Sequence, residues 1–194
     1  RAEEPKYTVA LLDFGLKENI KRELLKRGCN VWVLPCDTSY EEVAKLKVDG
    51  IMLSNGPGDP KDNDIIIENI KELINMHIPI FGICLGHQLL ALANGFDTHK
   101  LKYGHRGANQ PVKDVISNRV YISSQNHGYA VTTDSIDPDI ACEWFINVND
   151  KTCDGLWYKK HPVFSVQFHP EACGGPHDTA FLFDRFIERM GGGI

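Results

Sequence analysis

Cys84 stands between two glycines in Phe81-Gly82-Ile83-Cys84-Leu85-Gly86-His87-Gln88, where an apolar run, 78–83, gives way to a helix-like run, 85–93. A nucleophile in this Gly-x-Nu-x-Gly spacing sits on a strained strand-to-helix turn, and the small neighbours let helix and strand approach closely. The turn pushes the thiol into a cleft. Unpaired N–H groups and the positive end of the helix dipole favour a thiolate there and offer donors to a developing oxyanion. The chemistry implied is covalent catalysis by sulfur. Taken alone, the run also fits a small buried thiol at the end of a strand.

A sulfur nucleophile needs a base, and the base needs an acceptor that orients it. Among eight histidines, His169 stands out in Val166-Gln167-Phe168-His169-Pro170-Glu171-Ala172, which ends a second apolar run. Pro170 fixes the backbone between imidazole and carboxylate, so Glu171 can hold one tautomer. His87 enters the helix beside Cys84 and is expected to point elsewhere. His161, before a proline, reads as a turn residue, and His99, His105, His127 and His177 have no comparable acidic partner two residues on. A third segment, Ser54-Asn55-Gly56-Pro57-Gly58-Asp59-Pro60, exposes backbone N–H groups after another strand-like run. It reads either as a plain tight turn or, near Gly58, as the second oxyanion donor.

These residues must be brought together by the elements between them. Strand patterns at 7–14, 31–34, 50–53 and 78–83 alternate with helix patterns at 17–27, 40–46 and 64–75, which predicts a parallel sheet covered by helices. In such a sheet clefts open at the carboxyl edge, where both Cys84 and His169 leave their strands. After Gly95 the rhythm changes to short strand-like runs at 119–123, 129–133, 144–148, 155–158 and 163–168, expected as antiparallel additions. A last helix, 178–190, carries Leu182, Phe183, Phe186, Ile187 and Met190 at helical spacing, a face for packing on the sheet. The fold class expected is α/β, a mostly parallel central sheet flanked by helices with antiparallel additions.

Composition narrows the partners. The 194 residues suit one core, 42% are hydrophobic and 24% charged, and no apolar run approaches the ~20 residues that span a bilayer. Net charge is −5 with Lys and Arg scattered, so neither nucleic acid nor membrane is expected as a partner. The six cysteines form no CxxC pair and no zinc-type spacing, which predicts no metal site and reduced thiols in a cytoplasmic protein. The chain opens on Arg1 rather than Met and reads as a piece of something longer.

Together, the 54–60, 81–88 and 168–172 segments resemble the class I glutamine amidotransferases, the triad-type glutaminase domains of flavodoxin-like architecture. The likeness runs over about residues 7–190, and 1–194 is expected as a single domain of this type. Within that group, Lys102-Tyr103-Gly104-His105-Arg106-Gly107-Ala108-Asn109-Gln110-Pro111-Val112, Ser124-Gln125-Asn126-His127-Gly128-Tyr129-Ala130-Val131 and Gly174-Gly175-Pro176-His177-Asp178-Thr179 resemble the glutamine-hydrolysing small subunit of carbamoyl-phosphate synthetase. By this resemblance, that subunit's N-terminal domain is expected to be missing from residues 1–194.

The resemblance implies that Cys84 attacks the side-chain amide of glutamine, His169 protonates departing ammonia and Glu171 orients His169. It implies backbone donors near Gly58 and Leu85 for the oxyanion, and a glutamine site made by Gly56, Gly58, Leu85, Gln88, Asn126, Gly128 and Tyr129. Ammonia would pass to a large synthetase subunit or fused synthetase domain, of a pyrimidine or arginine pathway, that uses ATP and Mg. No GxxxxGK[ST] loop occurs here, so no cofactor is expected in this domain. Other readings left open are another class I glutamine amidotransferase, a γ-glutamyl hydrolase using the same three residues, or a catalytically silent regulatory domain that keeps the fold.

Overall fold

Strand β1 (Tyr7–Asp13) reads Tyr-Thr-Val-Ala-Leu-Leu-Asp, and its central residues are buried on both faces: Val9 and Leu11 on one, Ala10 and Leu12 on the other. Such a strand needs helices above and below. The computed structural model, which describes residues 4–15, 17–172 and 179–193, supplies them. Helices α2 (Tyr40–Lys45), α3 (Asp64–Ile74) and α4 (Leu85–Ala93) cover one face through Val43, Ile70, Leu73, Leu89 and Leu90. On the other, α1 (Glu18–Lys26) and α5 (Phe181–Met190) bring Ile20, Leu24, Leu182, Phe183 and Phe186 onto Met52 and Phe81. The start of the last predicted helix, Asp178, lies outside the described residues.

The remaining strands are β2 (Cys29–Pro35), β3 (Gly50–Leu53), β4 (Ile80–Ile83), β5 (Thr98–Asp114), β6 (Val120–Val131), β7 (Ala141–Asn147), β8 (Cys153–Tyr158) and β9 (Val163–Val166). They form one nine-stranded sheet in the order β2-β1-β3-β4-β9-β8-β6-β5-β7. The first five positions are parallel and follow the doubly wound 2-1-3-4-5 pattern, with β9 in fifth place.

The expectation of a mostly parallel sheet is corrected. Four pairings among the described residues are parallel and five are antiparallel. The reason is connectivity: beyond α4 no crossover helix intervenes before β9, and strands joined directly by turns must run antiparallel.

The same region departs most from the sequence pattern. The 17-residue β5 was not expected as a strand, and the two runs at 119–123 and 129–133 are one continuous β6. Register shifts interrupt their pairing between Lys100 and His105 and between Gly107 and Gln110, and Gly104 and Gly107 have φ of 68° and 123°. Bulges and an outward-facing hairpin leave no clean alternation to read.

Close packing at the elbow explains its glycines. A Cβ on Gly86 would lie 2.4 Å from the Leu53 carbonyl oxygen, and one on Gly82 would lie 2.9 Å from the backbone of Gly86. Gly86→Ala is therefore expected to destabilise the fold by about 3 kcal/mol, lowering Tm by roughly 10 °C for a chain of this size. An unchanged melting curve would contradict this packing.

Candidate active site

At the carboxyl edge of the parallel strands four chain segments leave the sheet side by side. Gly15 and Lys17 follow β1, Asn55–Gly58 follow β3, Cys84 follows β4 and Gln167–Glu171 follow β9. From these segments Gly15, Lys17, Asn55–Gly58, Cys84 and His169, with Lys100, Arg106 and the 126–129 stretch of the β5–β6 hairpin, line a cleft of about 570 Å³. This is where a doubly wound sheet opens to ligands.

Cys84 caps α4 with φ 54° and ψ −104°, a left-handed conformation that costs a non-glycine residue about 1–3 kcal/mol. Its N–H donates to the Val166 carbonyl at 2.9 Å, tying the elbow to the end of β9. That bond brings the sulfur beside the next residues of the β9 strand. Gln167 Nε2 donates to Cys84 Sγ at 3.6 Å, and the thiol lies 4.0 Å from the Asn126 carbonyl.

His169 completes the arrangement. Its backbone N–H donates to the Ser124 carbonyl at 2.8 Å, and its Nδ1 lies 2.8 Å from Glu171 Oε1. Both side chains are buried, and among the described residues the second oxygen of Glu171 has no partner, so there the carboxylate leans on the imidazole. Burial disfavours the imidazolium, but hydrogen bonds to Cys84 and Glu171, reinforced by their charges, prevail and hold His169 up at about 9. Sulfur, imidazole and carboxylate thus converge in one cleft.

The other expected site residues fall as follows. Gly56, Gly58, Gln88, Asn126, Gly128 and Tyr129 line the cleft. Leu85 does not line it by side chain. As the first residue of α4 it has an N–H that the helix itself cannot pair, while its side chain packs back under the loop, Cδ2 lying 2.9 Å from where a Cβ on Gly56 would sit. Gly58 has φ 95° and open space where a side chain would point, so its backbone is accessible. Gln88 spends its Nε2 on the Tyr129 carbonyl (2.9 Å) and Gln167 Oε1 (3.0 Å), which leaves its Oε1 for a ligand N–H.

His87 points away from the cleft, with Nδ1 2.7 Å from Ser165 Oγ; burial, then the nearby His127, lower it to about 3. His105, His127 and Asp154 bring possible ligand atoms within 4.8 Å of one another. The Gln125 amide stands among them, bonded to all three. Cys173 and the 174–178 part of the 174–179 segment lie outside the described residues.

Gln167, Lys17, Lys100 and Arg106 were not singled out from the sequence. For Gln167 a signal existed: a fully buried amide at the end of an apolar strand, two residues before the histidine. Lys17 comes from the loop after β1 and Lys100 and Arg106 from β5, and only the fold determines their approach.

Residues 10–189 match the family model "Glutamine amidotransferase class-I", and the chain belongs to that family. Among curated proteins it is 56% identical over 183 residues to the carbamoyl phosphate synthase small chain of Fusobacterium nucleatum, covering 94% of this chain and 51% of that one. It is 53% identical over 184 residues to the protein of the same name from Methanocaldococcus jannaschii, covering 95% and 51%. The chain spans about half the length of the curated relatives it matches. Among solved structures, a putative GMP synthase protein from Thermoplasma acidophilum shares the fold, with TM-score 0.82 and 22% identity over 96% of this chain and 94% of that one. No helix among the described residues is long and apolar enough to cross a membrane.

Proposed function

We propose that this chain is the glutaminase domain of a carbamoyl-phosphate synthetase, hydrolysing the side-chain amide of glutamine to glutamate and ammonia. The observation that carries the reading is that Cys84 and His169 line one cleft, with the buried Glu171 carboxylate 2.8 Å from the imidazole and His169 held protonated beside the sulfur. The names of the relatives support the choice of synthetase.

In this mechanism the Cys84 sulfur attacks the amide carbon, and the carbonyl electrons move onto an oxyanion facing the N–H groups of Leu85 and Gly58. His169 gives its proton to the amine as the C–N bond breaks, releasing ammonia and leaving a γ-glutamyl thioester. Neutral His169 then takes a proton from water, the hydroxide adds to the thioester carbon, and glutamate leaves as the sulfur is restored. Glu171 holds the ring in one tautomer throughout. Gly56, Gln88, Asn126, Gly128 and Tyr129 would hold the amino acid, and Lys17, Lys100 and Arg106 supply positive charge for its α-carboxylate. Ammonia would pass to a synthetase partner that uses ATP and Mg. The chain would act as one domain, residues 1–194.

A glutamine analogue bearing a chloroketone in place of the amide tests this reading. Peptide mapping is expected to find a single adduct, on Cys84, with glutamine protecting the site and asparagine failing to. Labelling spread over other cysteines, or none at all, would remove the substrate assignment.

A further inference from the structure

Beneath the 126–129 wall of the cleft lies a chain of buried polar groups that the mechanism does not use. Gln125, on β6, is the hub: its Oε1 lies 2.7 Å from His127 Nε2 and 3.2 Å from His105 Nδ1, and its Nε2 lies 2.8 Å from Asp154 Oδ2. The outer nitrogens of both rings also face acceptors, His127 Nδ1 the Tyr129 carbonyl at 2.7 Å and His105 Nε2 Asp150 Oδ2 at 2.6 Å. Asp154 is fully buried on β8.

Counting protons decides between two states of this cluster. With the amide oxygen toward the rings, each imidazole faces acceptors at both nitrogens and must carry two protons. That puts two cations side by side in the interior, with ring centroids 4.9 Å apart. A half-turn of the amide exchanges oxygen and nitrogen. Its NH2 group then donates to both rings, each of which keeps one proton for its outer acceptor, and the Ser123 hydroxyl, 3.2 Å away, either turns from the Gln110 carbonyl, to which it donates at 2.8 Å, toward the amide oxygen or leaves that oxygen to Asp154. This second state requires a proton on Asp154, since otherwise two acceptors face each other. It is the state with fewer buried charges.

We propose that Asp154 is held as a neutral carboxylic acid donating to the Gln125 amide oxygen, and that this pair positions the cleft wall against which glutamine lies, an inference resting on the glutaminase reading. The line of force is short. Gln125 fixes the His127 tautomer, His127 holds the Tyr129 carbonyl, and the same carbonyl receives Gln88 Nε2. Asp154 and Gln125 are positioning residues that touch no substrate atom.

Charges around the group agree with this. Burial, chiefly, raises Asp154 from 3.8 to about 7, against hydrogen bonds from Gln125 and Asn147 of β7 and the opposed influences of His105 on β5 and Asp150. Burial likewise lowers His127 to about 4, against its hydrogen bond to the Tyr129 carbonyl, with His105, His169 and Asp150 as its titratable neighbours; His87 of α4 feels His127 in turn.

The test uses Asp154→Asn, Asp154→Ala and Gln125→Ala in the full native chain, with KM and kcat for glutamine measured across pH. Asparagine can still donate to the amide oxygen, so Asp154→Asn is expected to keep a near-normal KM. Alanine at either position removes a buried partner and is expected to raise KM about tenfold with kcat little changed. Wild-type KM should climb as pH passes about 7, where Asp154 ionises, and stay flat in Asp154→Asn. An Asp154→Asn variant as damaged as Asp154→Ala, or a wild-type KM independent of pH, overturns the proposal. If the alanine variants fail to fold, Asp154→Asn and its pH profile still decide. Infrared difference spectra at about pH 6, below the Asp154 titration, separate this from the substrate reading. A carboxylic-acid band present in wild type and lost in Asp154→Asn is expected whatever the enzyme hydrolyses, and its absence refutes the neutral acid.

Discussion

Serine in place of Cys84 is expected to lower glutamine hydrolysis by about four orders of magnitude while glutamine binding is little changed. The hydroxyl is a far weaker nucleophile than the thiol at neutral pH, and the positive end of α4 cannot make good the difference. Binding persists because the cleft is built from other segments: the loop after β3, Gln88 on α4 and the 126–129 wall. The elbow backbone, at φ 54°, is fixed by the 2.9 Å bond from the Cys84 N–H to Val166 and by the Gly86–Leu53 approach, neither of which involves the sulfur. Ammonia release in a coupled assay, with glutamine affinity measured by calorimetry, checks both halves. Turnover within tenfold of wild type would move the nucleophile elsewhere. Loss of binding together with turnover would mean that the sulfur holds substrate rather than attacks it.

The contrast between what sequence reading finds and what it misses has a physical basis. Cys84, His169 and Glu171 are legible because each sits in a short motif dictated by local geometry: glycines forced by a Cβ clash at 2.4 Å, and a proline between base and carboxylate. The parallel half is legible because strands buried on both faces must be apolar throughout. The β5–β6 hairpin is not, since its residues answer to the cleft rather than to a core: Ser124-Gln125-Asn126-His127-Gly128 interrupts β6 with polar groups that line the site or support it. Asp154 looks like any turn residue in sequence. Only burial on all sides, with Gln125 against it, gives it a task.

His169→Asn is expected to cost as much as loss of the sulfur, about 10⁴-fold in turnover, whereas Glu171→Gln should cost about 10²-fold. The ordering follows from what each group does. In the proposed mechanism His169 is an acid when ammonia leaves and a base when water attacks, and its surroundings suit the change: hydrogen bonding and charge at Cys84 help to hold the proton up to about 9, and that support would end on acylation of the sulfur. Glutamine at 171 can still accept from the ring Nδ1, so it keeps the tautomer and loses only the stabilising charge. A larger defect in Glu171→Gln than in His169→Asn would reverse the assignment of base and orienter. Asparagine at 169 also leaves the buried Glu171 carboxylate unpaired, which lowers stability in its own right, so turnover must be compared at temperatures where both proteins are folded. The pH dependence of folding then isolates the imidazole. Native His169 keeps its proton up to about 9, against 6.5 for the ordinary side chain, so its contribution is complete below 6.5 and disappears as pH rises through about 9. The wild-type advantage in Tm over His169→Asn should narrow across that interval, and an advantage that instead widened would mean the ring is held neutral beside Cys84.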